Sequence, residues 1–589
     1  MDTKTEAHAD SIDVQSPLMG QKVESEKSGA KQSKDELLYR IDKDPSWPLA
    51  MLLGFQHYLT MFGATVGLPF ALAGALCLGN NSTIVGELIS TLFFCSGLVT
   101  LLQSTFGVRL PIVQGGTYTF LAPTFAIMGA RTTSCFTTVI VNATTNATAS
   151  IPDPEEWKSR ITEIQGAIMV SSLFQIVIGF SGIMGFVLRY IGPLTICPTI
   201  ALVGLPLFGV AGNFAGTSWG VTFVTMFCIT LFSQVLKEVR LPNPFGDPIP
   251  VFKLFPVLLA IIVSWALSAI LTAAGIAESD KARTDYRIDV LRESDWFRVP
   301  YPGQWGTPTV NVAAVFGMLA GVLASMLESI GDYYACAKLS GAPPPPKHAL
   351  NRGLGFEGLG CLITGAWGTG NGTTSYSENI SAIGITRVGS LRVIRCGAMI
   401  MIVLSIIGKF GALFATVPDP VIGGIFIIMF GMITAVGLSS LQYVDLSSMR
   451  NLFVLGTSLF FGMVIPAWIG ENGKSIDTGS SAVDQIIKVL LSTNMFVGGV
   501  TGFFLDNLLP GTKEERGIIK WKRSFDGDGN STGTTASIHV YDPPFIGSLF
   551  KHRVCKYIPF LPYYGNKSDV TMDNIEDAKN GTVIGDEQL

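Results

Sequence analysis

Residues 114–120 read QGGTYTF, and residues 368–377 read GTGNGTTSYS. Clustered glycines with threonines and aromatic residues predict a short extended segment in each stretch, after which a helix restarts at residues 121–123 and at Glu378. Both stretches interrupt long apolar runs. Extended backbone at bilayer depth has no hydrogen-bond partners in lipid, so each segment must be buried in protein or line a polar cavity. A soluble-type turn or a lipid-facing kink would look similar in isolation.

The composition around these segments is that of an integral membrane protein. Only 14% of the 589 residues are charged, where soluble proteins carry about 25%, and the mean hydropathy is +0.44. Runs such as 45–86, 190–236 and 299–327 contain no Asp, Glu, Lys or Arg. Since one crossing needs about 20 such residues, the sequence predicts twelve to fourteen transmembrane helices.

Charge placement predicts the orientation, because cytoplasmic loops collect Lys and Arg. With fourteen spans and both termini cytoplasmic, the segments 131–160 and 278–298 lie outside. Asn142 and Asn146 each begin an Asn-Ala-Thr sequon in the first of these loops and are predicted to be glycosylated. The basic residues predicted to lie inside are Arg109, Arg189, Lys237, Arg240, Lys338, Lys347, Arg352, Arg387, Arg392, Arg395 and Arg450.

Glu328 and Asp332 are the first charges after the apolar run 299–327. A four-residue step places both carboxylates on one helix face, where Gly321 and Ser325 extend a polar stripe. A single charge in a bilayer costs at least ~2.5 kcal/mol, so this pair needs protein donors, a cation, a proton or a hydrogen-bonding substrate. The pair therefore indicates a solute and ion site of a transporter. The alternative is a pair satisfied by neighbouring helices.

Other functional classes find little support in the sequence. One histidine, His57, lies in the membrane, and no Cys/His metal spacing or nucleophile–base pair accompanies it, which argues against an enzyme.

The nine cysteines are interpreted as small buried hydrophobes. The tails 1–44 and 508–589 are polar, predicted to be disordered, and give no indication of nucleic-acid binding. An anion exchanger or channel would need an electropositive site.

Four motifs, taken in order, resemble the nucleobase–ascorbate transporter family over roughly residues 45–525. They are Gln56-His57, QGGT at 114–117, ESIGD at 328–332, and the signature ENISAIGITR at 378–387. Residues 328–346 are similar to the animal sodium-dependent branch in particular.

The resemblance implies an all-α integral membrane fold of fourteen transmembrane helices in a 7+7 inverted repeat, usually as a homodimer. The extended segments then fall in spans 3 and 10, and a repeat of seven spans inverts its topology, so the two breaks can meet near the midplane. The family divides into a core domain, spans 1–4 and 8–11, and a gate domain, spans 5–7 and 12–14. The predicted segments are a tail at 1–44, core at 45–189, gate at 190–277, an extracellular loop at 278–298, core at 299–417, gate at 418–507 and a tail at 508–589.

In the family, the first signature residue and the eighth-span glutamate contact the substrate, which implies these roles for Glu378 and Glu328. The chemistry agrees, because carboxylates accept hydrogen bonds and uracil or an oxopurine presents ring N–H donors beside carbonyl acceptors. Backbone N–H groups near Thr117, Thr374 and Ser375 are expected to donate to those carbonyls.

Among the remaining motif residues, Asn379 and His57 have two interpretations each. Asn379 is either a substrate-orienting amide or a helix cap. His57, with Gln56, is either part of an ion site or relay, or a structural donor. Asp332 is assigned to sodium, because oxygen ligands suit a hard cation and Glu328 needs charge compensation.

The end of the signature carries one departure from the family. Thr386 and Arg387 close the half-helix, and Arg387 can also complement its C-terminal dipole. Ser381 stands where the family nearly always has Gly, so a hydroxymethyl group is predicted to intrude on a close backbone contact and to alter transport rate or substrate range.

Substrate choice depends on Glu378. Ascorbate is an anion, and its animal transporters carry Pro at this position, whereas nucleobases are neutral and benefit from a carboxylate acceptor. The sequence therefore predicts a sodium-coupled symporter for nucleobases such as uracil and xanthine in the plasma membrane, with ascorbate as the alternative. Sodium is the co-transported ion, and no resident cofactor is expected.

Overall fold

The computed structural model describes residues 37–78, 82–131, 133–142, 147–153, 155–187, 190–242, 250–521, 537–544 and 553–563. Residues 1–36 of the predicted N-terminal tail, much of the predicted C-terminal tail and the sequon at Asn146 lie outside the described residues.

Where the structure describes it, the first half of the chain is helical apart from one strand and one hairpin. Its elements are α1 (Trp47–Ala75), α2 (Ser82–Thr105), β1 (Gln114–Gly116), α3 (Leu121–Gly129), β2 (Phe136–Asn142), β3 (Ala147–Pro152), α4 (Glu156–Ser181), α5 (Met184–Val187), α6 (Pro193–Gly204), α7 (Phe208–Ala215), α8 (Trp219–Thr230), α9 (Val251–Leu254), α10 (Pro256–Ala273) and α11 (Ile288–Glu293).

The second half begins with a long helix of the same length as α1, 29 residues. Asn311 caps this helix, because its side chain accepts from the N–H of Ala313. The elements are α12 (Val312–Ser340), α13 (Lys347–Trp367), β4 (Thr373–Ser375), α14 (Ser377–Thr386), α15 (Leu391–Ile406), α16 (Gly408–Ala415), α17 (Asp419–Ser439), α18 (Met449–Asn472), α19 (Ser481–Ser492) and α20 (Asn494–Leu508).

Eight helices in the described ranges are long and apolar enough to cross a membrane, and the pair α19 and α20, bent by 81°, forms a ninth candidate. The protein is therefore a multi-pass helical membrane protein. The two broken spans are not among these helices, because each contains only a short helix, α3 or α14. The number fourteen stays a prediction.

The two extended segments pair with each other. β1 and β4 form a two-stranded antiparallel sheet in which Gly115 faces Thr374, and both strands are buried. The predicted strands and the helix restart at Leu121 are confirmed, and the second helix begins at Ser377, one residue before the predicted position. The ring of Tyr376 packs against Gly115, where a Cβ atom would lie 2.6 Å from the ring, so the pairing requires glycine there.

One prediction about the cysteines is wrong. Cys77 and Cys135 form a disulfide that joins the end of α1 to the start of the β2–β3 hairpin. Cys77 lies at the end of an apolar run and therefore looked like a core residue, while its partner is 58 positions away. The other seven cysteines are buried, as predicted.

The prediction that the tails 1–44 and 508–589 are disordered is wrong for the parts of them that pack against the helices. Ile41 is buried, and the backbone N–H groups of Leu38 and Tyr39 donate to the carbonyl of Arg387 at 3.0 and 3.2 Å. Near the other end, Tyr541 is buried and its hydroxyl donates to the carbonyl of Pro343 at 2.5 Å. Both segments therefore belong to the folded part of the chain.

Candidate functional site

The Asp332 carboxylate joins α12 to the start of α14. Its Oδ2 accepts from the Ser375 hydroxyl and its Oδ1 from the Ser377 hydroxyl, both at 2.7 Å. Asp332 and Ser375 are buried. The two hydroxyl donors offset part of the free-energy cost of burying this charge. The bond from Ser375 also connects β4 directly to Asp332, the predicted ion-coupling residue.

A second carboxylate, that of Glu357 on α13, completes the buried network. Its Oε1 accepts from Ser329 at 2.7 Å and from Thr374 at 3.3 Å, and its Oε2 accepts from Tyr333 at 2.7 Å. Glu357 is fully buried. Sequence reasoning missed this residue, although it is the only charged residue between Arg352 and Glu378.

Serine hydroxyls connect the two buried carboxylates. The Ser329 hydroxyl lies 2.7 Å from Glu357 and 3.3 Å from the Ser375 hydroxyl, which in turn donates to Asp332. The network therefore joins α12, α13 and β4 through polar groups in an otherwise apolar core, where each bond is strengthened by the low local dielectric.

We expect Glu357→Ala to destabilise the protein, because it leaves the buried Tyr333 hydroxyl without its acceptor, while Ser329 keeps only neighbouring hydroxyls such as that of Thr374 at 2.8 Å. A buried polar group left unpaired costs about 1–3 kcal/mol. The thermal unfolding midpoint of the purified Glu357→Ala variant should fall clearly. The midpoint of Glu357→Gln should fall less, because its side chain keeps one amide oxygen as an acceptor. Glu293→Ala, at an exposed position of α11, is the matched control. An unchanged midpoint for Glu357→Ala would show that the network does not stabilise the fold.

Glu378 and Glu328 are placed differently from these buried carboxylates. Glu378 is exposed and Glu328 is half-buried, although β4, just before Glu378, is buried. A Cβ added at Gly331, next to Glu328 on α12, would meet no atom within 4 Å. We call these accessible faces of α12 and α14, which carry Glu328 and Glu378 beside the buried network, the cleft.

The exposed face of α14 extends this cleft along the helix. Ser377, Glu378, Ser381 and Gly384 are exposed and follow helical spacing toward Arg387. The cleft thus runs from the buried network to the end of α14 that holds Arg387, which is predicted to be cytoplasmic.

Asn379 and His57 hold α14 against α1. The Asn379 Nδ2 donates to the His57 carbonyl at 2.8 Å and lies 3.2 Å from His57 Nδ1. Both residues are buried, and Tyr376, not Asn379, occupies the N-cap position. The capping interpretation of Asn379 is therefore wrong, because its amide is used across the helix interface. His57 accepts in this contact, since the amide nitrogen of Asn379 can only donate, and the role of His57 stays a prediction.

Several buried polar atoms near the paired strands have no hydrogen-bond partner in the described part of the chain. They include Nε2 of Gln56, both side-chain polar atoms of Gln114, Nδ2 of Asn371 and Oδ1 of Asn379. Unpaired buried polar atoms are costly, so their concentration here indicates a region built for a polar ligand or water.

One of the predicted backbone donors is occupied. The backbone N–H of Thr117 donates to Oδ1 of Asn371 at 2.9 Å. The expectation that the Thr117 N–H is free for a substrate carbonyl is therefore not met in this structure. A partner 254 residues away could not be inferred from the local pattern.

The signature helix ends as predicted, but Ser381 does not crowd its surroundings. Thr386 is the last residue of α14, and Arg387 follows in the left-handed region at φ 58°. The side chain of Ser381 is exposed, and its hydroxyl donates to the Ser377 carbonyl at 3.0 Å. The predicted intrusion is absent because this position faces the open cleft.

Comparisons with known proteins now add to this geometry. The sequence profile of a family described as Permease family (Xan_ur_permease) matches residues 49–471. Human solute carrier family 23 member 2 is 49% identical, covering 93% of this chain and 86% of its own length. The chain belongs to the solute carrier 23, or nucleobase–ascorbate transporter, family. Rat solute carrier family 23 member 1 is 48% identical over 94% of each chain, and Arabidopsis thaliana nucleobase-ascorbate transporter 1 is 36% identical, covering 84% and 94%.

Membership of the nucleobase–ascorbate transporter family confirms the resemblance of the four motifs and the conclusion that the protein is a membrane transporter rather than an enzyme. Together with the apolar spans, it indicates a multi-pass plasma-membrane protein. The fold has a distant structural counterpart. The murine Slc26a9 anion transporter in the inward-facing state aligns with a TM-score of 0.52 at 12% identity, covering 82% of this chain and 70% of that one. At this identity the likeness concerns the fold alone.

Proposed function

We propose that this transporter is a sodium-coupled symporter that imports nucleobases such as uracil and oxopurines. The observation that carries the proposal is the exposed Glu378 at the start of α14, opposite the half-buried Glu328 on the open cleft. Two carboxylate acceptors match the ring N–H donors of a neutral base. The unpaired Oδ1 of Asn379 supplies a further acceptor.

The charge of the site supports a neutral substrate accompanied by a cation. The charged groups that act on Glu328 are all carboxylates, namely Asp332, Glu378 and Glu357. Such a site repels an anion and attracts a cation. Ascorbate and an exchanged inorganic anion are therefore the less favoured substrates.

Sodium fits the buried end of this site. In the described ranges, no three His, Cys, Asp or Glu side chains converge on a metal-binding cluster. A sodium ion at Asp332 would therefore also use hydroxyl oxygens, and Ser375 and Ser377 are already within hydrogen-bond distance of that carboxylate. Their hydroxyls, which now donate to Asp332, would turn their lone pairs to the ion.

The proposed architecture is the 7+7 inverted repeat with core and gate domains, acting by alternating access and assembled as a homodimer. The order of elements supports the repeat, because a long helix, a second helix, a three-residue strand and a short helix occur in that order in each half. The antiparallel pairing of β1 with β4 supports two half-spans that meet from opposite sides.

The proposed orientation has both termini in the cytoplasm and the hairpin of β2 and β3 outside. The Cys77–Cys135 disulfide supports this, because disulfides persist in oxidising compartments. Asn142 ends β2 on the same hairpin.

Glycosylation tests the orientation. The double variant Asn142→Gln/Asn146→Gln should abolish the gel shift that glycosidase produces in the wild type, because both sequons lie in the loop proposed to face outside. Surface biotinylation of the variant serves as the control for delivery. A shift that persists in the double variant would place the glycan elsewhere and contradict the orientation.

Radiotracer uptake tests the proposed function. Proteoliposomes or transfected cells are supplied with uracil, hypoxanthine, xanthine, urate or ascorbate, with an inward sodium gradient or with choline in its place. Sodium-dependent accumulation of at least one base is expected. Accumulation of ascorbate alone would overturn the substrate assignment, and uptake of bases that is equal in choline would overturn the sodium coupling.

A further inference from the structure

An apolar groove lies on the surface of the protein between α1 and α15. It is separate from the transport site. It has a volume of about 920 Å³. Trp47, Met51 and Phe55 follow one face of α1 at four-residue spacing, and Met399 and Val403 follow one face of α15. All five side chains are exposed. Such a row of exposed apolar side chains on a membrane protein is suited to contact with lipid.

Two glycines set the depth of the groove. Gly54 of α1 and Gly397 of α15 meet backbone to backbone, and a Cβ added at Gly54 would lie 2.6 Å from the Gly397 nitrogen. The helices therefore cross in direct contact, and the larger side chains on either side of the crossing form the walls.

One end of the groove is positively charged. Arg392 and Arg395 line it beside the apolar residues, together with Asp44. Arg392 pairs with Asp44 at 3.0 Å and lies over the Trp47 ring at 4.9 Å. Arg392 is in the first turn of α15, where the helix dipole disfavours cations and favours an anion, and Arg395 follows at the start of the second turn.

Arg395 is not fully satisfied by the protein. Its Nη2 donates to the Ser104 carbonyl at 3.0 Å, but its buried Nε has no hydrogen-bond partner in the described ranges. Arg109 acts on it electrostatically and is itself faced by Asp542. Among the residues that line the groove, the two guanidinium groups of Arg392 and Arg395 face one carboxylate, that of Asp44, which leaves one cation in excess.

We propose that this groove binds an anionic phospholipid of the cytoplasmic leaflet, with the phosphate at Arg395 and an acyl chain along Met399 and Val403. The dimensions fit, because Arg392 and Val403 are separated by about 16 Å along α15, which is about half of a 30 Å hydrocarbon core. The charge fits as well, since the cytoplasmic leaflet carries the anionic lipids. Arg392 and Arg395 belong to the set predicted to lie on that side.

Native mass spectrometry of the purified full-length protein tests the proposal. Palmitoyl-oleoyl phosphatidylserine and the matching phosphatidylcholine are added separately, and free glycerophosphoserine is a third probe. We expect the wild type to retain phosphatidylserine about tenfold more strongly than phosphatidylcholine, and to retain no glycerophosphoserine. Arg395→Gln should remove most of that preference, whereas Arg292→Gln, at an exposed position of α11, should keep it.

A second variant tests the groove without changing its charge. Met399→Trp fills the space beside the acyl chain at an exposed position and should lower the retention of both lipids. Equal retention of the two lipids by the wild type, or an unchanged preference in Arg395→Gln, would overturn the anionic headgroup site. Unchanged retention in Met399→Trp would show that lipid binds elsewhere or that another segment covers the groove, and would equally overturn the proposal.

Discussion

Glu378→Pro is expected to weaken nucleobase binding about ten- to a hundredfold, because it removes a charge-assisted hydrogen bond worth about 1.5–3 kcal/mol. The fold should survive the change. Residue 378 is the second residue of α14, in the first helical turn, where the backbone N–H has no partner within the helix and Pro is tolerated. The measurement is the concentration dependence of radiolabelled uracil and xanthine uptake, normalised to surface protein.

Two comparisons sharpen this experiment. Ser381→Gly, one turn further along the same exposed face, is the matched control and should leave base affinity within about a factor of two, since its side chain only contacts the Ser377 carbonyl. Any uptake of ascorbate should rise in Glu378→Pro, because a negative charge is lost from the cleft. Unchanged base affinity in a variant that reaches the surface would mean that Glu378 does not contact the substrate.

Asp332→Asn should abolish sodium-driven accumulation while the protein still reaches the cell surface. The substitution removes one charge at nearly constant shape, and the amide oxygen can still accept from one of the two serine hydroxyls that now contact Asp332. The cation loses its only charged ligand proposed here, so the concentrative uptake that the sodium gradient drives should fall to the level measured in choline. Accumulation ratios of a labelled base, with and without sodium, provide the test.

Asp289→Asn is the control for the loss of one negative charge, because that residue is exposed on α11. Full sodium dependence in Asp332→Asn would exclude Asp332 as a sodium ligand and would direct attention to Glu357, the other buried carboxylate of the network. Loss of surface expression would instead show that Asp332 is needed for folding, through its contacts with β4 and α14.

Local chemistry was enough to locate most parts of this site, although it missed Glu357. The glycine and threonine clusters at 114–120 and 368–377 predicted two extended segments, because glycine permits close approach and extended backbone cannot continue an apolar helix. The four-residue step from Glu328 to Asp332 placed both carboxylates near one face of α12. The helix restart at Leu121 and the half-helix that ends at Arg387 followed from the same kind of short-range pattern.

The sequence by itself thus determined a membrane transporter with two broken spans and an acidic site, since hydropathy, turn residues and helical spacing act over a few residues. Only the tertiary structure decided which groups meet. The register of Gly115 against Thr374, the bonds from Ser329 and Tyr333 to Glu357, and the disulfide of Cys77 all join residues from separate elements. The physical reason is that hydrogen bonds and packing depend on distance in space, which the packing of whole helices sets and which separation along the chain does not encode.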